Sequence, residues 1–242
     1  MTQLQIIAHR GSSGVCHENT MAAFERAIAD GADGIEFDVR LTRDNEWVVY
    51  HDPEITVDGH PTRVREMTMH EIGRQRVGPA RDSIPRLDDF LGWVRDKRIP
   101  VVFDIKDPDG VESLVPQVER AGLDSPMLFS SFHRTVLKSL EHLQPGWPRG
   151  LIVADPHSAL ARRFLLGSML RWARRHSLTS LHFEEHWVTP SLVAAMKKAN
   201  LSLAVWTVDD PLRIALLSAL GVDAVITNQP NVALQSVSSQ KK

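Results

Sequence analysis

Short apolar runs alternate with longer amphipathic ones almost from one end of this chain to the other. The short runs are Leu4–Ala8, Gly34–Val39, Val101–Ile105, Met127–Ser130, Gly150–Val153, Ser180–Phe183, Leu203–Thr207 and Ala224–Thr227, and each reads as a strand. Helical patterns separate them at Thr20–Ala29, Leu87–Arg95, Val111–Ala121, His133–His142, Pro190–Ala199 and Pro211–Leu220. Strands alternating with helices imply a parallel sheet with right-handed crossovers. Eight such units in 242 residues favour a closed (β/α)8 TIM barrel over an open doubly wound sheet.

Punctuation supports these elements. Asn19 or Thr20 can cap the first helix, and Gly31 follows its end, where a left-handed residue is easily placed. Thr68 and Glu71 have capping-box spacing, and Pro190 and Pro211 suit a first helical turn. One segment breaks the rhythm. Trp47–Tyr50 follows the turn signal Arg43–Glu46, so Gly34–Tyr50 is expected to form a hairpin hung on the barrel. Asp52–Arg86 then makes a long inserted connection. No linker, repeat or low-complexity tract divides residues 1–242, which read as a single domain with a disordered tail over 236–242.

The totals exclude several classes. A net charge of −2 gives no electrostatic case for nucleic acid. Cys16 is the lone cysteine, so no intramolecular disulfide can form. No transmembrane segment is expected, since no run approaches the ~20 apolar residues that cross a bilayer. Met1–Ala8 runs straight into the first strand without a basic leader. The expectation is a cytoplasmic protein.

Chemistry in a barrel gathers where strands end and the following loops begin. The first strand runs into His9-Arg10-Gly11, the second holds Glu36-Phe37-Asp38, and the third holds Asp104-Ile105-Lys106. The hairpin ends in His51-Asp52, and the seventh strand in Trp206-Thr207. Side chains alternate along a strand, so Glu36 shares a face with Asp38, and Asp104 with Lys106. Buried carboxylates so close are unfavourable unless something positive sits between them. An isolated pair would be read as exposed or paired with arginine. Here Glu36, Asp38 and Asp104 converge from adjacent strands with a lysine and two histidines, an all-oxygen set suited to Mg²⁺ or Ca²⁺ rather than zinc or copper. His9 and His51 can serve as general base or acid, whereas His60, His70, His133, His142, His157 and His176 read as surface or satisfied core. The Arg10 guanidinium and the Lys106 ammonium suit a phosphate oxyanion. Together these groups are the equipment for phosphoryl chemistry, in which positioning and charge stabilisation dominate.

The ordered motifs His9-Arg10-Gly11, Glu18-Asn19-Thr20, Gly34-Ile35-Glu36-Phe37-Asp38, His51-Asp52, Ser131-Phe132, Trp206-Thr207-Val208 and Gly221-Val222-Asp223 with Ile226-Thr227 resemble the signature of glycerophosphodiester phosphodiesterases, in the short bacterial form. The resemblance runs from about residue 5 to residue 230. It implies metal-dependent hydrolysis of a small glycerophosphodiester to an alcohol and sn-glycerol 3-phosphate. It further implies His9 and His51 as the acid–base pair, Glu36, Asp38 and Asp104 around a divalent ion (Mg²⁺, Ca²⁺ or Mn²⁺), and Arg10 and Lys106 on the phosphate. Glu18 would orient its neighbours at the substrate site, and Trp206 would pack on the glyceryl group.

Four positions depart from that pattern. Asp104 stands where the family usually has Glu, one methylene longer, and His17 replaces a usual proline. Asp209 replaces a usual asparagine and Asn228 a usual aspartate. These last two are expected to bear on substrate preference rather than on the chemistry. The alternatives are a phospholipase D-type enzyme acting on lysophospholipids and a non-catalytic phosphodiester-binding barrel; retention of both histidines and all three acids disfavours the latter.

Leu160–His176 mixes many apolar residues with five arginines. Its plain reading is the fifth barrel helix, solvating its arginines. Its length and the Gly167-Ser168 pair also suggest two shorter helices with a bend. Phe164, Leu165, Leu166, Met169 and Leu170, partly exposed beside the mouth, would then either cover the site or form a homo-oligomer or peripheral membrane contact.

Overall fold

The expected alternation closes on itself in the computed structural model of the protein, which describes residues 3–238. The chain opens with β1 (Gln5–His9), α1 (Met21–Ala29), β2 (Gly34–Leu41) and β3 (Trp47–Val49). An inserted segment follows: β4 (Glu54–Val57), β5 (His60–Arg63), α2 (Met69–Gly73), β6 (Arg76–Val77) and β7 (Asp82–Ser83). The chain continues through α3 (Leu87–Lys97), β8 (Val101–Ile105), α4 (Val111–Ala121), β9 (Met127–Ser131), α5 (Arg134–Leu143) and β10 (Arg149–Val153). It ends with α6 (Ala159–Arg175), β11 (Ser180–Glu184), α7 (Pro190–Ala199), β12 (Ser202–Trp206), α8 (Pro211–Leu220), β13 (Ala224–Thr227) and α9 (Pro230–Ser238).

Eight parallel strands run in the order β1-β13-β12-β11-β10-β9-β8-β2, and the β1–β2 pairing closes the ring. This is a (β/α)8 TIM barrel. β3 pairs antiparallel with β2, matching Val39 to Val49, which is the hairpin expected from Gly34–Tyr50. Alternation sorts the residues of each strand. Ile35, Phe37 and Val39 face the helices, where Phe37 meets Phe90 of α3 and Phe103 of β8 at centroid distances of 4.5 and 4.6 Å. Glu36 and Asp38 therefore point into the barrel. Register then sets neighbours across strands: His9 lies opposite Glu36, and Asp38 opposite Asp104.

The residues 52–86 form two small hairpins and a helix around a core of their own, made by Val48, Ile55, Val64, Met67, Met69, Ile72 and Ile84. The Thr68–Glu71 capping box is present, and Thr20, not Asn19, caps α1.

Two expectations need correction. Leu160–His176 holds one continuous helix over its described span, α6, with no bend at Gly167-Ser168. An interior glycine costs a helix only about 1 kcal/mol, and Met169 and Ala173, both buried against the strands, anchor the turns beyond it. Met169 is accordingly core, not surface. Of the tail expected from Ser236, residues 236–238 belong to α9 and 239–242 lie outside the described residues.

Candidate active site

The site is built first by β1. After His9 the chain must turn back against α1, and it does so through two left-handed residues, Arg10 at φ 55° and Gly11 at φ 82°. A Cβ on Gly11 would lie 2.6 Å from the Ala23 backbone, so only glycine fits this close approach. The turn aims Arg10 across the mouth. Its Nη1 donates to both Glu18 oxygens at 2.9 Å, its Nε lies 3.0 Å from Asp38 Oδ2, and its backbone N–H reaches Glu36 Oε2 at 3.0 Å. Asn19, also at positive φ, donates Nδ2 to Asp38 Oδ2 at 2.7 Å and accepts from the Asp38 N–H at 3.2 Å.

Glu36, Asp38 and Asp104 are buried, and one carboxylate oxygen from each lies within 4.8 Å of the others. Lys106 Nζ sits 2.9 Å from Asp38 Oδ1 and 2.5 Å from Asp104 Oδ2. Lys106 and Arg10 are the cations beside these three carboxylates, and Arg10 is shared with Glu18, so the carboxylates compete for too little positive charge. Burial, reinforced by Asp38 and Asp104, pushes the Glu36 carboxyl well above the usual range. Burial likewise raises Asp104 to about 6, against the pull of Lys106. At Asp38 the same burial is overcome by Lys106 and Arg10, which hold it low. The donor set fits a hard divalent cation: ligand spacing suits one shared ion, all donors are oxygen, and Asp104 Oδ1 is buried with no hydrogen-bond partner.

A cavity of about 100 Å³ opens over Glu36 and Asp104 of the triad, lined also by His9, His51, Lys106, Phe132, His182 and Trp206. His51 Nδ1 is 2.8 Å from Asp52 Oδ1. Burial and the neighbouring Arg10 together hold His9 below its ordinary value. Trp206 meets Phe132 edge to face at 5.7 Å, and Lys106 Nζ stands 5.6 Å from the Phe132 ring centre. All nine residues singled out from sequence thus gather at one end of the barrel. Glu18 reaches the site through Arg10.

Sequence reasoning passed over His182 and did not place Phe132, Asp209 or Asn228 in the bonding of the site. His182 is fully buried inside the barrel with Nε2 3.0 Å from Ser180 Oγ, and burial lowers it to about 4. The alternation of β11 could have found it, since Ser180 and His182 share a face. Phe132 supplies an apolar wall. Asp209 and Asn228, expected to bear on substrate preference, bond to each other, and Asn228 also bonds to His9, with His9 Nδ1 2.7 Å from Asn228 Oδ1 and Asn228 Nδ2 donating to Asp209 Oδ2 at 2.7 Å.

A TIM barrel whose mouth combines a buried carboxylate triad, an arginine, a lysine and two histidines has the makings of a phosphoric diester hydrolase. The chain belongs to the glycerophosphoryl diester phosphodiesterase family, whose model matches residues 9–232. It is an enzyme of that class, hydrolysing glycerophosphodiesters. A glycerophosphodiester phosphodiesterase of Caldanaerobacter subterraneus subsp. tengcongensis is 32% identical over 247 residues, covering 96% of this chain and 97% of that protein. Among solved structures, a phosphodiesterase of Oleispira antarctica in complex with the product sn-glycerol-3-phosphate superimposes with a TM-score of 0.85 at 25% identity, covering 98% of this chain and 97% of its own. A putative glycerophosphoryl diester phosphodiesterase of Silicibacter pomeroyi shares the fold with a TM-score of 0.88 at 23% identity, covering 99% and 95%.

Proposed function

We propose that this enzyme cleaves small glycerophosphodiesters to an alcohol and sn-glycerol 3-phosphate, using a divalent ion (Mg²⁺, Ca²⁺ or Mn²⁺) held by Glu36, Asp38 and Asp104. The observation that carries this reading is a buried triad with an unpartnered carboxylate oxygen beneath a cavity lined by both histidines. When bound, the ion supplies Lewis-acid polarisation of a phosphoryl oxygen. Arg10 and Lys106 line the cavity and offer charge to the remaining phosphate oxygens, and Glu18 holds the Arg10 fork in place. One histidine of the pair His9 and His51 takes a proton from the nucleophile as its oxygen bonds to phosphorus; the nucleophile is water, or the glycerol 2-hydroxyl, which gives a cyclic phosphate that water then opens to sn-glycerol 3-phosphate. The phosphorus–oxygen bond to the leaving alcohol breaks, and the other histidine returns a proton to that oxygen. Trp206 and Phe132 give the glyceryl group an apolar wall.

The test is direct. Purified protein is incubated with a panel of glycerophosphodiesters and lysophospholipids, with and without EDTA, and glycerol 3-phosphate is measured. The reading fails if no diester releases it, or if metal-stripped protein keeps full activity.

One observation favours a second, lipid-facing reading. At the start of α6, beside the mouth, Leu160, Phe164 and Leu165 are 67%, 72% and 40% exposed. Such residues suit lysophospholipid chains, a peripheral membrane contact or a second copy of the chain. If so, Phe164→Ser with Leu165→Ser changes lysolipid turnover, liposome binding or oligomer size at little cost in thermal stability. No described helix is long and apolar enough to cross a membrane, and with Cys16 as the lone cysteine a cytoplasmic location fits best.

A further inference from the structure

We infer that Asp209 and Asn228 are positioning residues that fix which ring nitrogen of His9 carries the proton. The inference rests on His9 being one of the proton-transfer pair proposed above. Register brings the groups together from opposite ends of the chain: β1 pairs with β13, Ala8 lies opposite Thr227, and the next residues along, His9 and Asn228, leave the barrel side by side. Gly14 N donates to Asn228 O at 2.9 Å and holds that backbone in place.

The polarity of the chain of bonds follows from what each group can do. An ionised carboxylate only accepts hydrogen bonds. Asp209 accepts three: from Thr227 Oγ1 and the Asn228 N–H at its Oδ1, each at 2.8 Å, and from Asn228 Nδ2 at its Oδ2, at 2.7 Å. The side-chain amide of Asn228 must therefore turn its NH₂ toward Asp209 and its carbonyl toward His9. Ser13 Oγ lies 2.7 Å from the same Oδ1 and 2.8 Å from His9 O, and its single hydrogen can serve either acceptor. Facing a carbonyl, His9 Nδ1 can only donate, so the neutral ring carries its hydrogen on Nδ1. Nε2 is left with a free lone pair, in a ring that lines the catalytic cavity. In this state His9 is equipped to receive a proton at Nε2, not to give one. Without Asp209 the amide could reverse, and a reversed amide would place the hydrogen on Nε2 and remove the acceptor.

Three variants and one spectrum test this, all at saturating Mg²⁺. Asp209→Ala is expected to lower kcat roughly 10- to 100-fold, the usual effect of losing a group that orients an active-site histidine. KM and the midpoint of the metal titration should stay within about 2-fold. The exchange variant Asp209→Asn with Asn228→Asp keeps an acceptor on His9 and a donor behind it, and is expected to recover kcat to within about 3-fold of wild type. Wild-type kcat in Asp209→Ala, or an exchange variant that folds yet stays as slow as Asp209→Ala, overturns the inference. If these variants do not fold, ring ¹⁵N spectra of the wild type decide: neutral His9 protonated on Nδ1 supports the assignment and protonated on Nε2 overturns it. His9→Ala separates the two levels. Full activity there removes His9 from the reaction, whereas an inactive His9→Ala beside a fully active Asp209→Ala removes only the positioning role.

Discussion

Lys106 and Asp104, two residues apart at the end of β8, point the same way, and the ammonium donates to the carboxylate across 2.5 Å. Lys106 also reaches Asp38 at 2.9 Å, so it acts as the internal counter-ion of the triad. Removing one partner of a buried ion pair strands the other, at a cost of about 3–5 kcal/mol. Lys106→Met should therefore lower the melting temperature in EDTA, and added Mg²⁺ should raise it more in the variant than in wild type. Scanning calorimetry with and without the ion reads both effects; equal shifts in the two proteins would remove Lys106 from this role.

Chelation should abolish activity, and Mg²⁺, Mn²⁺ or Ca²⁺ should restore it. Glu36→Gln and Asp38→Asn should raise the metal requirement or abolish turnover, whereas Asp104→Glu should be tolerated. Protons compete with the ion for the same oxygens. With burial raising Asp104 to about 6 and Glu36 well above its usual range, apparent metal affinity should weaken steadily as the pH drops through 7 toward 5. Isothermal titration at several pH values measures it, together with the protons released; pH-independent affinity would contradict the assignment.

His9→Ala and His51→Ala should each reduce turnover at least ~100-fold, the scale of general acid–base contributions. Both side chains line the cavity, so circular dichroism and the melting temperature should change little. Near wild-type rates in either variant, or a loss that merely follows unfolding, would end their assignment as the proton-transfer pair.

His182 carries a pH signature of another kind. Burial depresses it from 6.5 to about 4, so between those values the unfolded chain binds a proton that the folded one refuses. Its contribution is fully present above pH 6.5 and is lost as the pH falls toward 4, on the order of 3 kcal/mol for an ideal two-state transition. His182→Gln should flatten the acid limb of stability against urea over that window. An unchanged slope would show that the ring is not held neutral.

Much of the site was legible because short-range alternation determines it. Once Glu36-Phe37-Asp38 and Asp104-Ile105-Lys106 are read as strands, their inward faces follow, and register brings them together. The Asp209–Asn228–His9 contact was not legible, because it spans 219 residues and leaves no local pattern. His182 escaped for a simpler reason: two residues inside a strand offer the same signal whether they line a core or a cavity. The bend expected in α6 failed because buried Met169 and Ala173 hold the helix through a glycine that on its own only weakens it.

The inserted segment packs on itself. Apart from Val48 of β3, its buried apolar residues all lie between Ile55 and Ile84. It touches the β1–α1 loop at Gly78, where a Cβ would come within 2.6 Å of the His17 ring. None of the residues that converge on Asp38 come from its interior. The segment is thus tied to the β2–β3 hairpin, through bonds such as Arg43 N to Met67 O and Val49 N to Pro85 O, and not to the carboxylate triad. The registers that set His9 opposite Glu36 and Asp38 opposite Asp104 involve none of its residues, so the catalytic end of the barrel is assembled without it.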